Sequence, residues 1–226
     1  MSKKIKVSRK ADFNKLQSHA QMRESYIIRI ATEGQNTEFR YFTQCISIPK
    51  NLQNRIKIEV LPTTDGRSAP EHVLERILES VQKINCQGNH DLADQYWIVV
   101  DVDQHKNLND TLEKIEEKGE LKDWNIQPAV SSPCFEVWLA MYKPDIAPET
   151  LNNNASIIKA VKEVDDHYTK QGFNSKRFQN HALAIQQAEK IDFNKSGAIP
   201  AAPGTRVYRL VKEILNVIEQ EKQAHR

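Results

Sequence analysis

Glycine is scarce in this 226-residue chain, with seven in all, which leaves no room for long flexible linkers. Cysteine is scarcer. Cys45, Cys86 and Cys134 form no CxxC pair, and their number is odd. That spacing argues against a disulfide scaffold and against a cysteine zinc site, so a reducing cytoplasm is the expected compartment. No apolar run approaches the roughly 20 residues that a membrane helix needs, so no membrane association is expected. The start, Met1-Ser2-Lys3-Lys4-Ile5-Lys6, lacks the apolar stretch of a secretory signal. Internal repeats and low-complexity segments are absent as well.

An excess of charge of one sign is also missing. Lysine and arginine number 32 and aspartate and glutamate 30, a formal net charge of +2. Taken whole, that balance argues against a polyanionic partner. Divided along the chain, it does not. Residues 1–50 hold ten basic and four acidic residues, a local +6. Residues 51–100 sum to −2, residues 101–150 to −6 and residues 151–226 to +4. The ends are basic and the middle acidic. Ordinary solvated faces would account for this; so would a cation-binding centre framed by surfaces that hold a polyanion.

What is present is enough chain to bury about 70% of its unfolded surface, patterned as alternating strands and helices. Short β-rich runs lie at Tyr26–Thr32, Ile56–Leu61, Tyr96–Val100 and Ile126–Val130. Helical spacing marks Thr37–Ile46, Pro70–Asn85, Leu108–Lys118 and a helix opening at Ser132-Pro133 and running to Tyr142. The Tyr96–Val100 run is nearly all apolar, as in a strand covered on both faces of a parallel sheet. The order β-α-β-α-β-α-β-α predicts an α/β fold with a mainly parallel sheet flanked by helices. After residue 145 the pattern is helical only, near 155–169, 176–190 and 207–222. The expected organisation is a basic arm over residues 1–22, an α/β core over 23–145 and a helical part over 146–226 packed on that core, since about 75 residues alone make a marginal core.

In parallel sheets ligands bind beyond the carboxyl ends of the strands, and here those ends carry acids. The first strand runs into Glu33-Gly34, the third into Asp101-Val102-Asp103. Residues two apart in an extended strand point the same way, so Asp101 and Asp103 can face one pocket. If the first and third strands are neighbours, Glu33 joins them. Three carboxylates in one crevice repel one another unless a cation compensates. A set of oxygens without histidine or thiolate suits Mg²⁺ or Mn²⁺, a metal able to polarise a phosphoryl oxygen and prepare a water. Strand-end acids that merely cap helices would leave the same pattern, and a DxD pair alone also fits sugar transferases and phosphatases.

Four segments together resemble a known family. Glu33-Gly34-Gln35-Asn36-Thr37-Glu38 is similar to the EGxxTE motif that opens Toprim domains of the OLD-nuclease and RloB type. Val99-Val100-Asp101-Val102-Asp103 is similar to the Toprim DxD strand. Ser132-Pro133-Cys134-Phe135-Glu136-Val137-Trp138-Leu139 resembles the NPSFExWL segment of RloB-like proteins, and Pro203–Val211 resembles their C-terminal ST-x-V-x-x-LV helix opening. Ser132 and Cys134 depart from the family's usual Asn and Ser without removing a carboxylate.

The resemblance implies a Toprim-like, Rossmann-like fold and a Mg²⁺-dependent nuclease hydrolysing nucleic-acid phosphodiesters, DNA or RNA, tRNA included. It also implies a role in abortive infection against phage beside an ABC-type ATPase partner. Position by position, Glu33, Asp101 and Asp103 match the catalytic metal-holding acids, and Glu38 matches the second acid of EGxxTE. A non-catalytic Toprim-fold regulator that binds the ATPase or nucleic acid is the alternative.

Glu136 is read as a further metal carboxylate or as a first-turn acid complementing a helix dipole. Ser132 is expected to cap that helix, with Pro133 in its first position. Trp138 and Leu139 are expected in the core. Lys195, Arg206 and Arg209 are candidate nucleic-acid contacts, as is the run Lys3, Lys4, Lys6, Arg9 and Lys10. His105, just after the DxD, is a weaker acid/base candidate. Arg177 and His181 are too close together for the RxxxxH spacing of HEPN ribonucleases.

Overall fold

The computed structural model describes residues 25–63, 67–82, 95–102, 107–116 and 125–224 in full, and the backbone alone at 83–86 and 117. Asp103, His105 and the basic run from Lys3 to Lys10 lie outside the described residues.

Five strands form one sheet: β1 (Tyr26–Thr32), β2 (Ile56–Leu61), β3 (Gln95–Asp101), β4 (Ile126–Ser132) and the two-residue β5 (Gly204–Thr205), in the order β2-β1-β3-β4-β5. The first four are mutually parallel and β5 is antiparallel to β4. The helices are α1 (Thr37–Arg40), α2 (Pro70–Cys86), α3 (Leu108–Glu117), α4 (Glu136–Ala140), α5 (Asn154–Val164), α6 (His181–Ile191) and α7 (Val207–Ala224). The chain is an α/β protein of Rossmann-like architecture with a helical C-terminal part.

Period-two alternation sorts the strand side chains onto two faces. On β1 and β3, Ile28, Ile30, Trp97 and Val99 face one core, which α4, α5, α6 and α7 cover. Ile27, Ala31, Tyr96, Ile98 and Val100 face the other, under α2 and α3. β3 is buried on both faces from Gln95 to Val100, as its apolar run predicts. The first core runs without a break from the sheet into Ile157, Val161, Ala188, Val211 and Ile214. Each fully buried isoleucine or valine there contributes about 1.5–3 kcal/mol, so the C-terminal helices and the sheet stabilise each other. Trp138 and Leu139 are fully buried there.

Several boundaries differ from expectation. The helix expected over Thr37–Ile46 is α-helical only to Arg40 and then a π turn over Tyr41–Cys45. The expected helix 155–169 stops at Val164, and the expected helix 176–190 is a 3-10 turn at Ser175–Arg177 followed by α6. Ser132 does not cap a helix: it is the last residue of β4 and pairs with Gly204. Glu136 is accordingly the first residue of α4. The C-terminal part does contribute a strand, β5. Among the described residues no helix is long and apolar enough to cross a membrane.

Candidate active site

β1 and β3 are hydrogen-bonded neighbours, with Thr32 opposite Val99. The Glu33 N–H donates to the Val99 carbonyl at 3.0 Å, extending that ladder one residue past β1. The Glu33 carboxylate then accepts from the Asp101 N–H at 3.1 Å. Two acids 68 positions apart are thus brought together by backbone geometry.

The turn after β1 is closed by Thr32 Oγ1 donating to the Gly34 carbonyl at 2.9 Å. A Cβ on Gly34 would fall 2.1 Å from Glu38 Oε2. The bare backbone there lets the Glu38 carboxylate, on the first turn of α1, lie against the turn. Glu136, 5% exposed, enters from α4, and its carboxylate accepts from the Tyr168 hydroxyl at 2.9 Å. Tyr168 arrives because α5 ends at Asp165, whose carboxylate accepts from the His167 and Asn174 N–H groups at 3.3 and 2.6 Å and turns the chain back. Thr37 Oγ1 fixes the same reversal by donating to the Lys170 carbonyl at 3.3 Å.

Glu33, Glu38, Asp101 and Glu136 line one cavity of about 300 Å³, with Ser68, Cys134 and Lys170 on its wall. The carboxylates disturb each other there. Burial raises the Glu38 carboxyl to about 7, assisted by the charges of Glu136 and Glu33. Burial likewise raises Asp101 well above the carboxylate range, with Glu38, Glu33 and Glu136 adding to the effect. The Cys134 thiol is pushed up by burial and then by Glu136 and Asp101, so it stays protonated and is a poor nucleophile. Asp101 Oδ1 is buried and has no hydrogen-bond partner.

Among the described residues no three histidine, cysteine, aspartate or glutamate side chains are arranged so as to hold a metal ion already. The chemistry of the set nonetheless fits one. Its donors are carboxylate oxygens, one of them is buried and unanswered, and their mutual repulsion is the kind a divalent cation relieves. Hard cations take such ligands.

Of the basic candidates, the described Lys195, Arg206 and Arg209 do not line this cavity. Arg206 is 1% exposed, so its expected role as a nucleic-acid contact is corrected. Its guanidinium bonds both Asp192 oxygens at 3.3 Å and the carbonyls of Asn194 and Gly197. Arg209 is partly exposed and divides its guanidinium between Asp192 and the Lys195 carbonyl, each at 3.2 Å. Lys195 is exposed. His181 is tied into the aromatic core, where its Nδ1 meets the Tyr142 hydroxyl at 2.6 Å.

Sequence reasoning missed Tyr168, Lys170 and Ser68, which belong to no motif and reach the cavity only through the tertiary fold. Arg76, on α2, was missed as well. It donates to the Thr32 carbonyl at the β1 turn.

No curated protein and no solved structure matches the chain. A family model described as RloB-like protein matches residues 28–214. That span holds every carboxylate of the cavity, so the chain belongs to the RloB-like protein family.

Proposed function

We propose that this protein is a metal-dependent Toprim-type nuclease that hydrolyses nucleic-acid phosphodiesters and acts in anti-phage defence with an ABC-type ATPase partner. The observation that carries the reading is the buried, unpartnered Asp101 Oδ1 beside Glu33, Glu38 and Glu136 in one cavity. Mg²⁺ or Mn²⁺ held by these four and by Asp103 would supply Lewis-acid polarisation of a phosphoryl oxygen and a water of lowered pKa.

The chain's own groups have separate tasks. The Asp101 N–H orients the Glu33 carboxylate. Tyr168 donates to Glu136 and keeps one of its oxygens directed. Gly34 leaves the space in which Glu38 sits. Lys170 puts the one cationic side chain on the cavity wall among the described lining residues, suited to an anionic substrate. The defence role and the ATPase rest on the family resemblance. The chain has no GxxxxGK[ST] loop, so nucleotide hydrolysis would come from the partner.

One observation favours the non-catalytic reading, in which the fold binds the ATPase or nucleic acid without cutting: no three described side chains stand ready around a cation. The test is a cleavage panel on plasmid, phage DNA, total RNA and tRNA with Mg²⁺ or Mn²⁺, with and without the neighbouring ATPase. Metal-dependent cleavage abolished in Asp101→Ala is expected. Identical behaviour of wild type and Asp101→Ala on every substrate would sink the nuclease reading.

A further inference from the structure

Arg76 is a charge in the wrong place for stability. It projects from α2 toward the turn after β1, where its Nη2 donates to the Thr32 carbonyl at 2.5 Å. Thr63 Oγ1 donates to the same carbonyl at 3.0 Å, so that acceptor is already well served. The Nε and Nη1 of Arg76 are buried and have no hydrogen-bond partner. A guanidinium carries five N–H donors, and leaving charged donors buried and unanswered costs more than a made bond returns.

Among the described residues no carboxylate forms an ion pair with Arg76. Burial lowers its pKa, and the Arg67 charge lowers it further, while Glu33 and Glu79 act in opposition through space. The charges of Arg67 and Arg76 are thus close enough to act on each other. Arg67 is exposed.

The position gives the orphaned donors a meaning. Thr32, which Arg76 touches, immediately precedes Glu33, and Ser68, which follows Arg67, lines the carboxylate cavity. A group that wants a cation (Asp101 Oδ1) and a group that wants an anion (Arg76) stand on either side of the Glu33 turn. The guanidinium nitrogens Nε and Nη1, still without partners, are donors of the kind that takes phosphate oxygens.

We infer that Arg76, with Arg67, forms an anion subsite that holds a backbone phosphate of the substrate strand beside Glu33. The inference rests on the nuclease reading for the identity of the strand. A purely structural Arg76 is the competing account: one N–H would tie α2 to β1 and the other donors would be incidental.

The two are separated by measuring affinity and stability together. Binding of fluorescein-labelled single-stranded and duplex 20-mers is followed by anisotropy in EDTA at several salt concentrations, for wild type, Arg76→Ala and Arg76→Lys. Loss of a charge-assisted phosphate contact should weaken binding about tenfold to a hundredfold in Arg76→Ala and lower the salt slope by about one. Arg76→Lys should restore the slope but only part of the affinity, because an ammonium lacks the fork. Melting temperature should stay level or rise in Arg76→Ala, since an unanswered buried charge is removed. Inorganic phosphate at millimolar concentration should raise the melting temperature of wild type and not of Arg76→Ala.

Wild-type affinity and slope in Arg76→Ala overturn the subsite, as does a fall in melting temperature shared by both variants. Binding of inorganic phosphate without any effect of Arg76 on the oligonucleotides overturns it too. Because the binding is read without metal, a wild type that never cleaves refutes the nuclease reading while leaving these outcomes intact.

Discussion

Replacing Glu38 by glutamine should stabilise the metal-free protein at neutral pH. Burial and the neighbouring acids hold this carboxyl up at about 7 against an ordinary 4.5. The folded state therefore binds a proton that the unfolded state has already lost between those two values. Stability attributable to Glu38 is fully present below about pH 4.5, declines as pH rises, and is gone above about pH 7. At 1.36 kcal/mol per pKa unit, the loss is about 3 kcal/mol. In a chain of this size 1 kcal/mol moves the melting temperature by about 2–4 °C, so the decline amounts to about 6–12 °C. Glu38→Gln keeps the shape and hydrogen-bonding capacity without the charge, and it removes a charge that presses on Asp101. Melting followed by calorimetry in EDTA from pH 4.5 to 8.5 should show the variant overtaking wild type as pH rises. Mg²⁺ should then stabilise wild type by about 2.7 kcal/mol at a hundred times its dissociation constant, and the variant by less. A wild-type-minus-variant difference that stays flat with pH, or a variant less stable at pH 8, would refute the reasoning.

Other perturbations separate the site from its supports. Arg206→Ala takes the buried cation from Asp192, which keeps only Arg209 and the Tyr208 hydroxyl, and should cost up to about 3–5 kcal/mol. Melting would register the loss, and oligonucleotide affinity of the folded fraction should be unchanged. Gly34→Ala puts a methyl group where the Glu38 carboxylate lies, so cleavage should fall to the level of Glu38→Ala while far-ultraviolet dichroism stays native. Tyr168→Phe removes the hydroxyl that donates to Glu136. Metal affinity measured by titration calorimetry should drop about tenfold with little change in melting temperature.

The fold's skeleton was readable because it follows from local periodicity. The apolar run at Tyr96–Val100 predicts a strand covered on both faces, and β3 is one. Glu33 and Asp101 were readable as partners because a parallel sheet gathers strand ends, provided β1 and β3 are neighbours, as they are. Failures came where distant contacts overrode local signals. Ser132-Pro133 reads as a helix start, but pairing with β5 keeps Ser132 extended, and Ser131 bonds Thr205 across 74 positions. The apolar spacing of Phe39, Phe42, Cys45 and Ile46 fits a helix without telling an α turn from a π turn. Arg206 reads as surface charge because nothing near it in sequence announces that Asp192, 14 residues earlier, closes on it. Tyr168 and Arg76 carry no motif, and their parts arise only from where α5 ends and how α2 lies on β1.

Among the described residues, buried acids are treated in two ways, and the difference bears on function. Asp192 receives Arg206, Arg209 and the Tyr208 hydroxyl at 2.9 Å, and Asp165 receives two backbone N–H groups. These two buried carboxylates are answered, as expected where an unanswered one costs several kcal/mol. At the carboxyl ends of β1 and β3 the opposite holds. Four acids crowd one cavity, two of them have raised pKa values, and Asp101 Oδ1 meets no donor. At the same turn, Arg76 Nε and Nη1 meet no acceptor. A chain able to compensate Asp192 so completely shows no general inability to do so elsewhere. Departures from local consistency concentrate where a protein does its work. At the Glu33 turn an acid oxygen and two guanidinium nitrogens are left unanswered, the pattern that the proposed cation and phosphate would complete.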